Sequence, residues 1–540
     1  MRLFARRSAR SRLLHIGDLD RQPVRLCLYA LAWLVVAAPS PPDIRRDPDL
    51  HLSKISQEAV KWLSEYVKIN TANPPGRELR AAEYLGGLLA AEGIPFRNAI
   101  SAPGRANLVA RIKGTDPGGG LALVHHMDVA AADKAGWSAP PFSGLIRDGY
   151  VWGRGTVDSK GLGIVHLASF IAVKRSGVTP KRDLVFLVTC DEEMGGSAGM
   201  EWVIKHRPSW LQGVDYALTE GGSNIVQGGR LVHVGVETTQ KLVLWLRIRA
   251  FGEEAHSAVP GKATASHRLV HALDRLLRYQ PAIRITPEVS RYLRDIAPYQ
   301  PPDVRDRLLH PEDLVEDILA VRRLAPVHQA LLRDTIALTF VRAGRSTNIL
   351  SETAYAELDC RLVPDQDPME FLDKVNEIVN DENVLIEPFL VSSPASSPLQ
   401  SKLFDAIRTA TRLFEPQATV GGSVLAGFSD ARFLREKGII CYGFDPFKGE
   451  DRSPGVHGTD ERISVSDLEF AIRYCHAVVS EMVETQKPEA RSQKPEAGTR
   501  SQEPGARSQK SEARSQKPGT RSQEPEVRSQ EPEARREGSS

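Results

Sequence analysis

The stretch LALVHHMDVA, Leu121–Ala130, is apolar and strand-like until it ends in two histidines and an aspartate. Gly, Asn or Pro suffices to turn a buried strand into solvent, so nitrogen and oxygen donors gathered at its tip point to metal chemistry. Side chains alternate along a strand, which puts His126 and Asp128 on one face and His125 on the other. A ligating imidazole commonly gives its second N–H to a carboxylate, so Asp128 reads as orienting His126, and His125 reads as structural. Alone, a His-x-Asp at a strand end is a weak signal, better explained by polar groups that satisfy one another.

Further donors follow. In GRGTVDSKG, Asp158 sits in a glycine-rich turn ahead of a helix, either as a ligand or as that helix's N-cap. DEEMGG crowds Asp191, Glu192 and Glu193 at the end of the apolar strand DLVFLVTC. Adjacent carboxylates repel unless cations lie among them. On an extended segment neighbouring glutamates point apart, so one can reach a metal while the other faces substrate as a proton carrier. A surface acidic run is the plain alternative, disfavoured by the apolar strand before it and the glycines after it. Glu220 ends the strand DYALTE, and His457 stands in GVHGTDERIS. Imidazole and carboxylate without thiolate favour zinc, cobalt or manganese. Two such ions about 3.5–4 Å apart, bridged by one carboxylate, activate a water and polarise a carbonyl.

Such donors must be held at strand ends, and the pattern supplies the strands. Helical spacing in SQEAVKWLSEYVKI, ELRAAEYLGGLLAAEG and GIVHLASFIAVKRSG interleaves with the strand-like ANLVARIKG, GLALVHHMDV and DLVFLVTC. That alternation predicts an α/β fold, a mixed sheet flanked by helices, whose loop ends form the site. Near Gln240 a second strand and helix rhythm begins with KLVLWLRIRAF, and after Ser392 the first resumes with LQSKLFDAIRTATRLF and GIICYGFDP. One domain is therefore expected inside another: a catalytic part over 51–239, an inserted smaller α+β domain over 240–392, and a second catalytic part over 393–484.

The flanks differ. Residues 1–50 carry basic residues up to Arg25 and then the apolar LCLYALAWLVVAA before PSPP, a length that suits a signal-peptide core or an anchor. This predicts a secreted or membrane-anchored protein. Over 485–540 the triplet RSQ recurs at 491, 500, 507, 514, 521 and 528 without apolar partners, which reads as a disordered low-complexity tail. A net charge of +2 with 26% charged residues offers no field for nucleic acid. The five cysteines lack C-x-x-C spacing, so they read as buried small residues rather than as a disulfide framework or a zinc site.

Taken together, HHMDV, GWSAPPFSGLIRDGYVWGRGTVDSKG, DEEMGGSAG, TEGG, AHSAVP, TNILS and VHGTDERIS resemble, in order, the motifs of the di-zinc metallopeptidases that include aminoacylase, carnosinase, acetylornithine deacetylase and glutamate carboxypeptidase. The likeness spans about 52 to 484 and implies a zinc-exopeptidase-like sheet with an inserted lid and dimerisation domain. It implies two zinc ions, with cobalt or manganese as alternatives, one on His126, Asp158 and Glu220 and the other on Asp158, Glu193 and His457. Glu192 is then the general base, Asp128 the acid behind His126, His256 of the AHS motif the oxyanion donor, often from the partner subunit, and Asn348 and Arg361 the holders of the substrate carboxylate. The chain departs from the family pattern at His125, at VAA after Asp128 and at Thr219, none of which removes a ligand. PPFSGLIRDGYVWGRGT, the helical insertion around 286–335 and RAGRSTNIL are most similar to the N-fatty-acyl-amino-acid synthase/hydrolase and carboxypeptidase S branch.

The expected activity is hydrolysis of the amide of an N-acyl amino acid or a short peptide with a free carboxylate, by a homodimer joined through the lid. A dipeptidase or aminopeptidase of the same fold is the alternative, and a non-catalytic binding relative a weaker one. Membrane association, if any, runs through the N-terminus.

Overall fold

Strands Gly120–His126 and Leu184–Thr189 are buried along their whole length. Continuous burial is what a sheet covered on both faces demands. Their side chains divide with the two-residue period: Leu121, Leu123, Phe186 and Val188 join one core, and Ala122, Val124, Val185 and Leu187 another. Helices Pro48–Lys68, Lys160–Arg175, Lys402–Phe414 and Val465–Val483 supply the first layer, and Met200–His206 and Ala431–Glu436 the second. Each large side chain fully buried this way contributes about 1.5–3 kcal/mol.

The computed structural model describes residues 48–133, 135–261, 263–449 and 455–484. The N-terminal apolar run and the repeat tail lie outside the described residues, among which no helix is long and apolar enough to cross a membrane.

These strands belong to a nine-stranded mixed sheet. Its centre is parallel, running through Ile440–Gly443, Val214–Thr219, Gly120–His126 and Leu184–Thr189. Arg105–Ile112 and Phe96–Ala102 extend it antiparallel on one side. On the other, Arg230–Gln240 carries Thr419–Leu425 in parallel and Ser223–Gln227 antiparallel. The fold is α/β, as the alternation of elements implied. Aligned parallel strands bring their carboxyl ends to one rim, where the connecting loops form a crevice.

Between Arg230–Gln240 and Thr419–Leu425 the chain builds a four-stranded antiparallel sheet in the order Thr335–Ala343, Thr353–Leu362, Leu242–Phe251, Val384–Val391. Leu242, Leu244, Leu246, Ile248 and Ala250 face helices Ala265–Arg278 and Pro368–Val379 with Ala354, Ala356, Leu358, Cys360 and Leu362. The alternate residues, among them Trp245, Asp359 and Arg361, take the opposite face. Helices Pro287–Ile296 and Pro302–Leu309, from the insertion noted around 286–335, pack with Val424 of the large sheet rather than with this smaller one.

Candidate metal centre and active site

At the crevice the parallel strands deliver their donors. Asp158 lies between two imidazoles, its Oδ1 3.0 Å from His126 Nε2 and its Oδ2 3.2 Å from His457 Nε2. Glu220 Oε2 stands 3.0 Å from His126 Nε2, and Glu193 Oε2 3.2 Å from His457 Nε2. Glu192 Oε2 keeps further off, 4.0 Å from His126. Donor atoms of His126, Glu192 and Glu220 form one group compact enough to hold a cation, and those of Asp158, Glu193 and His457 a second. The helix N-cap reading of Asp158 falls: Ser159 occupies the cap, and both Asp158 oxygens are turned to the histidines.

The charges call for cations. Burial would lower the His126 pKa, yet Glu220, Asp128 and Asp158 raise it well above the usual imidazole range. Hydrogen bonds to Asp158 and Glu193 push His457 up to about 10. Burial and the neighbouring Asp158 lift Glu220 to about 7, and burial with Glu220 lifts Glu192 well above the carboxylate range. Buried carboxylates that outnumber their imidazoles hold protons for want of positive charge, and two divalent ions supply that charge. Glu192 Oε1 and Glu193 Oε1 are buried without a hydrogen-bond partner among the described residues. The residues present therefore fit a dinuclear site.

Two local expectations are corrected. DEEMGG is not extended: Glu192–Met194 form a 3₁₀ turn after Asp191, whose φ is 68°. Asp128 imposes the turn, accepting the Glu192 N–H on Oδ1 and the Glu193 N–H on Oδ2, each at 3.1 Å. Successive residues of such a turn still diverge, by about 120° at three residues per turn, so the two glutamates part as expected. Nor is the Asp128 carboxylate the nearest acceptor for His126. Nδ1 lies 2.9 Å from the Asp128 backbone carbonyl and 3.5 Å from its carboxylate, because that carboxylate is engaged by the turn and by Asn73 Nδ2 at 2.9 Å.

Residues 122–481 match the sequence profile of peptidase family M20/M25/M40. The chain belongs to this family. It is 30% identical to the N-fatty-acyl-amino acid synthase/hydrolase PM20D1 of Xenopus tropicalis, over 65% of this chain and 70% of that one. With the probable carboxypeptidase S-like 2 of Dictyostelium discoideum it shares 27% identity, covering 66% and 71%. The M20 family metallo-carboxypeptidase Sso-CP2 of Sulfolobus solfataricus has the same fold, with a TM-score of 0.63 at 19% identity over 79% of this chain and 99% of that structure. The protein is thus a hydrolase of the metallopeptidase class.

In this M20 protein the donors face a cavity of about 540 Å³ lined also by Arg361, Asp359, Trp245, Phe428, Phe444 and Val456. Asp359 engages Arg361 Nε and Nη2 at 2.6 and 3.0 Å, and the buried Nη1 has no partner among the described residues. His256 and Asn348 are not brought to the cavity. They sit on a short ladder in which Ala255–His256 pairs with Ile349–Leu350, His256 opposite Ile349, and both are exposed. His125 is buried beside Phe186, its Nε2 3.4 Å from the Tyr66 hydroxyl, as a structural residue would be. Cys190, Cys360, Cys441 and Cys475 are free and buried, and Cys27 lies outside the described residues.

The roles of several supporting residues carried no signal in the sequence. Glu461 Oε2 pairs with Arg154 Nη1 at 2.7 Å, and its Oε1 accepts the N–H groups of Gly155 and Val157 at 3.0 and 2.7 Å. Arg154 Nη2 donates to the His457 carbonyl at 3.0 Å. This buried exchange binds the GRGTVD turn to the VHGTDE loop and so sets Asp158 against His457. Behind the centre, Arg105 reaches Asp191 Oδ1 at 2.5 Å and Asn73 Oδ1 at 2.6 Å, bracing the amide that holds Asp128. Both glutamate and arginine here lie within or beside recognisable motifs, and only proximity in space discloses their work.

Proposed function

We propose that the chain hydrolyses the amide bond of N-acyl amino acids or short peptides that carry a free carboxylate, with zinc as its metal. The observation that carries this reading is Arg361, a cationic side chain that lines the same cavity as the donor cluster and whose buried Nη1 has no hydrogen-bond partner among the described residues. A guanidinium with a free edge suits a carboxylate. His126, Asp158 and Glu220 would hold one ion and Asp158, Glu193 and His457 the other. When bound, the ions polarise the scissile carbonyl and acidify a water. Glu192, its Oε1 unengaged and its proton affinity raised by burial and Glu220, takes a proton from water and returns it to the leaving nitrogen. Trp245, Phe428, Phe444 and Val456 offer apolar walls to the acyl or side-chain portion.

The test is hydrolysis of N-acyl-leucines from acetyl to palmitoyl, beside free Leu-Leu, by zinc-loaded protein. Turnover of the acylated series supports the reading, and a rate rising with chain length places an acyl chain on the apolar walls. Cleavage of the free dipeptide alone would shift the assignment to a dipeptidase.

For His256 and Asn348 to reach substrate, a second copy of the chain must bring them, which is our reading of the lid. Strand Thr335–Ala343 ends the small sheet with an open edge, and its Phe340 and Val341 are 44% and 51% exposed. Mixing inactive His256→Ala and Glu192→Gln proteins would restore part of the activity if subunits share sites, and none if they do not. The basic and then apolar N-terminus we read as a signal for export or anchoring, to be checked by fractionating cells that express the full chain.

A further inference from the structure

The Glu192 carboxylate is aimed through its backbone. Its Oε1 has no hydrogen-bond partner among the described residues and its Oε2 comes no nearer than 4.0 Å to His126, so the direction of the carboxylate is set by the backbone turn that carries it. That turn is held at its start by Asp128, through the Glu192 and Glu193 N–H groups. Its end is closed by Gly195, at a φ of 99°, whose N–H donates to the Glu192 carbonyl at 2.8 Å. The carbonyl of Gly195 itself points out of the turn and cannot be met from within it.

Arg432 meets it. The side chain comes from helix Ala431–Glu436, far away in sequence, and is 3% exposed. Its Nη2 donates to Gly195 O at 2.7 Å and its Nη1 to Ser429 O at 3.4 Å. The guanidinium plane is fixed between two rings, 4.7 Å from the Phe428 centroid and 4.3 Å from that of Phe433. Phe428 also carries the Arg361 guanidinium, 4.6 Å from the same ring centroid. Burial works against the charge of Arg432, and the carboxylates of Glu192 and Asp430 offset it. A buried cation balanced by these carboxylates, whose shortest hydrogen bond goes to the Gly195 carbonyl, ties the far end of the turn to a separate helix.

We infer that Arg432 is a positioning residue for the hydrolysis, holding the Gly195 end of the turn so that Glu192 faces the cavity at the height of the substrate amide. The inference rests on the reading of Glu192 as general base. A base misplaced by about 1 Å can cost on the order of 10²-fold in rate. Of the metal donors only Glu193 shares the turn, while His126, Asp158, Glu220, His457 and Arg361 lie outside it, so metal binding and substrate affinity are expected to persist largely without the Arg432 contact.

The test compares wild type, Arg432→Met, Arg432→Lys and Glu192→Gln, each as the zinc-loaded full chain, on the best N-acyl-leucine of the series. Arg432→Met, which keeps the apolar stem, is expected to lose about 10²-fold in kcat with KM within about threefold and two zinc ions retained. Arg432→Lys, whose ammonium still reaches a carbonyl, is expected to recover at least about tenfold of that loss. Amide exchange over residues 190–197 should quicken in Arg432→Met while that of strand Gly120–His126 stays unchanged, a result that does not depend on any substrate. Near wild-type kcat in Arg432→Met, or unchanged exchange over the turn, overturns the inference. So does loss of zinc or of folding in both Arg432 variants, which would make the residue part of the fold alone. Wild-type activity in Glu192→Gln would instead remove the functional reading itself, whatever Arg432 does.

Discussion

Asp158 divides its carboxylate between two histidines that lie far apart in the chain, Oδ1 3.0 Å from His126 and Oδ2 3.2 Å from His457. One side chain thus belongs to both halves of the donor cluster. Asp158→Asn keeps the shape but removes the charge, so both halves should weaken together. The expected outcome is fewer than two zinc ions per chain by elemental analysis and a fall in activity of at least about 10³-fold. Retention of two tightly held ions would show that Asp158 does not bridge.

Glu192 is expected to behave differently from the ligands. Glu192→Gln should keep two zinc ions and a near wild-type KM while kcat falls by about 10²–10⁴-fold. Parallel loss of zinc would assign Glu192 to the metal instead, a role its 4.0 Å approach to His126 leaves open to test.

Arg361 lines the cavity and meets Asp359 with two of its nitrogens, while the third, Nη1, has no partner among the described residues. Arg361→Met should raise KM for N-acyl amino acids by about 10–100-fold with a smaller effect on kcat, since a lost carboxylate contact acts mainly on binding. Methyl esters of the same substrates, which lack the anion, should show little difference between variant and wild type. Equal penalties for acid and ester would speak against a carboxylate clamp.

The Arg154–Glu461 pair, 4% and 1% exposed, is expected to be structural in a local sense. Glu461→Gln leaves a buried guanidinium uncompensated, at a cost of about 3–5 kcal/mol. Denaturant unfolding should report that loss, and zinc should dissociate faster from the half that contains His457. Unchanged zinc release would mean that the pair does not set the His457 loop.

Acid sensitivity is expected from His166, buried in helix Lys160–Arg175 next to His125. Burial lowers its pKa to about 3, while the unfolded chain binds the proton near the ordinary value of about 6.5. The contribution of the neutral ring to stability is therefore complete above about 6.5 and is lost progressively as pH falls from there toward 3. His166→Gln should flatten the pH dependence of the urea midpoint between pH 7 and 5 relative to wild type. An identical slope in the two proteins would assign the acid sensitivity to other groups.

The α/β class and the donors were legible because each rests on a local rule. A strand buried on both faces must be apolar throughout, so LALVHH and DLVFLVTC announce themselves, and carboxylates and imidazoles at their ends are conspicuous against that background. His126, Asp158, Glu193, Glu220 and His457 do converge. The conformation of DEEMGG was not legible, because the turn exists only where Asp128 accepts its two N–H groups, a contact between separate strands. His256 and Asn348 stayed remote from the cavity for a related reason: the two-stranded ladder beside which they lie is placed by tertiary packing, and spacing along the chain says nothing of where it will face.

By itself, then, the sequence determined which side chains could bind metal and which strands would carry them, since residue type and period are properties of short segments. Only the tertiary structure decided what holds those side chains still. Arg154 with Glu461, Arg105 with Asn73, and Arg432 over Gly195 are pairings between residues distant in the chain, made when helices and loops pack at one end of the sheet. A buried guanidinium finds its carbonyl or carboxylate through the shape of the whole fold, and no local pattern encodes that meeting.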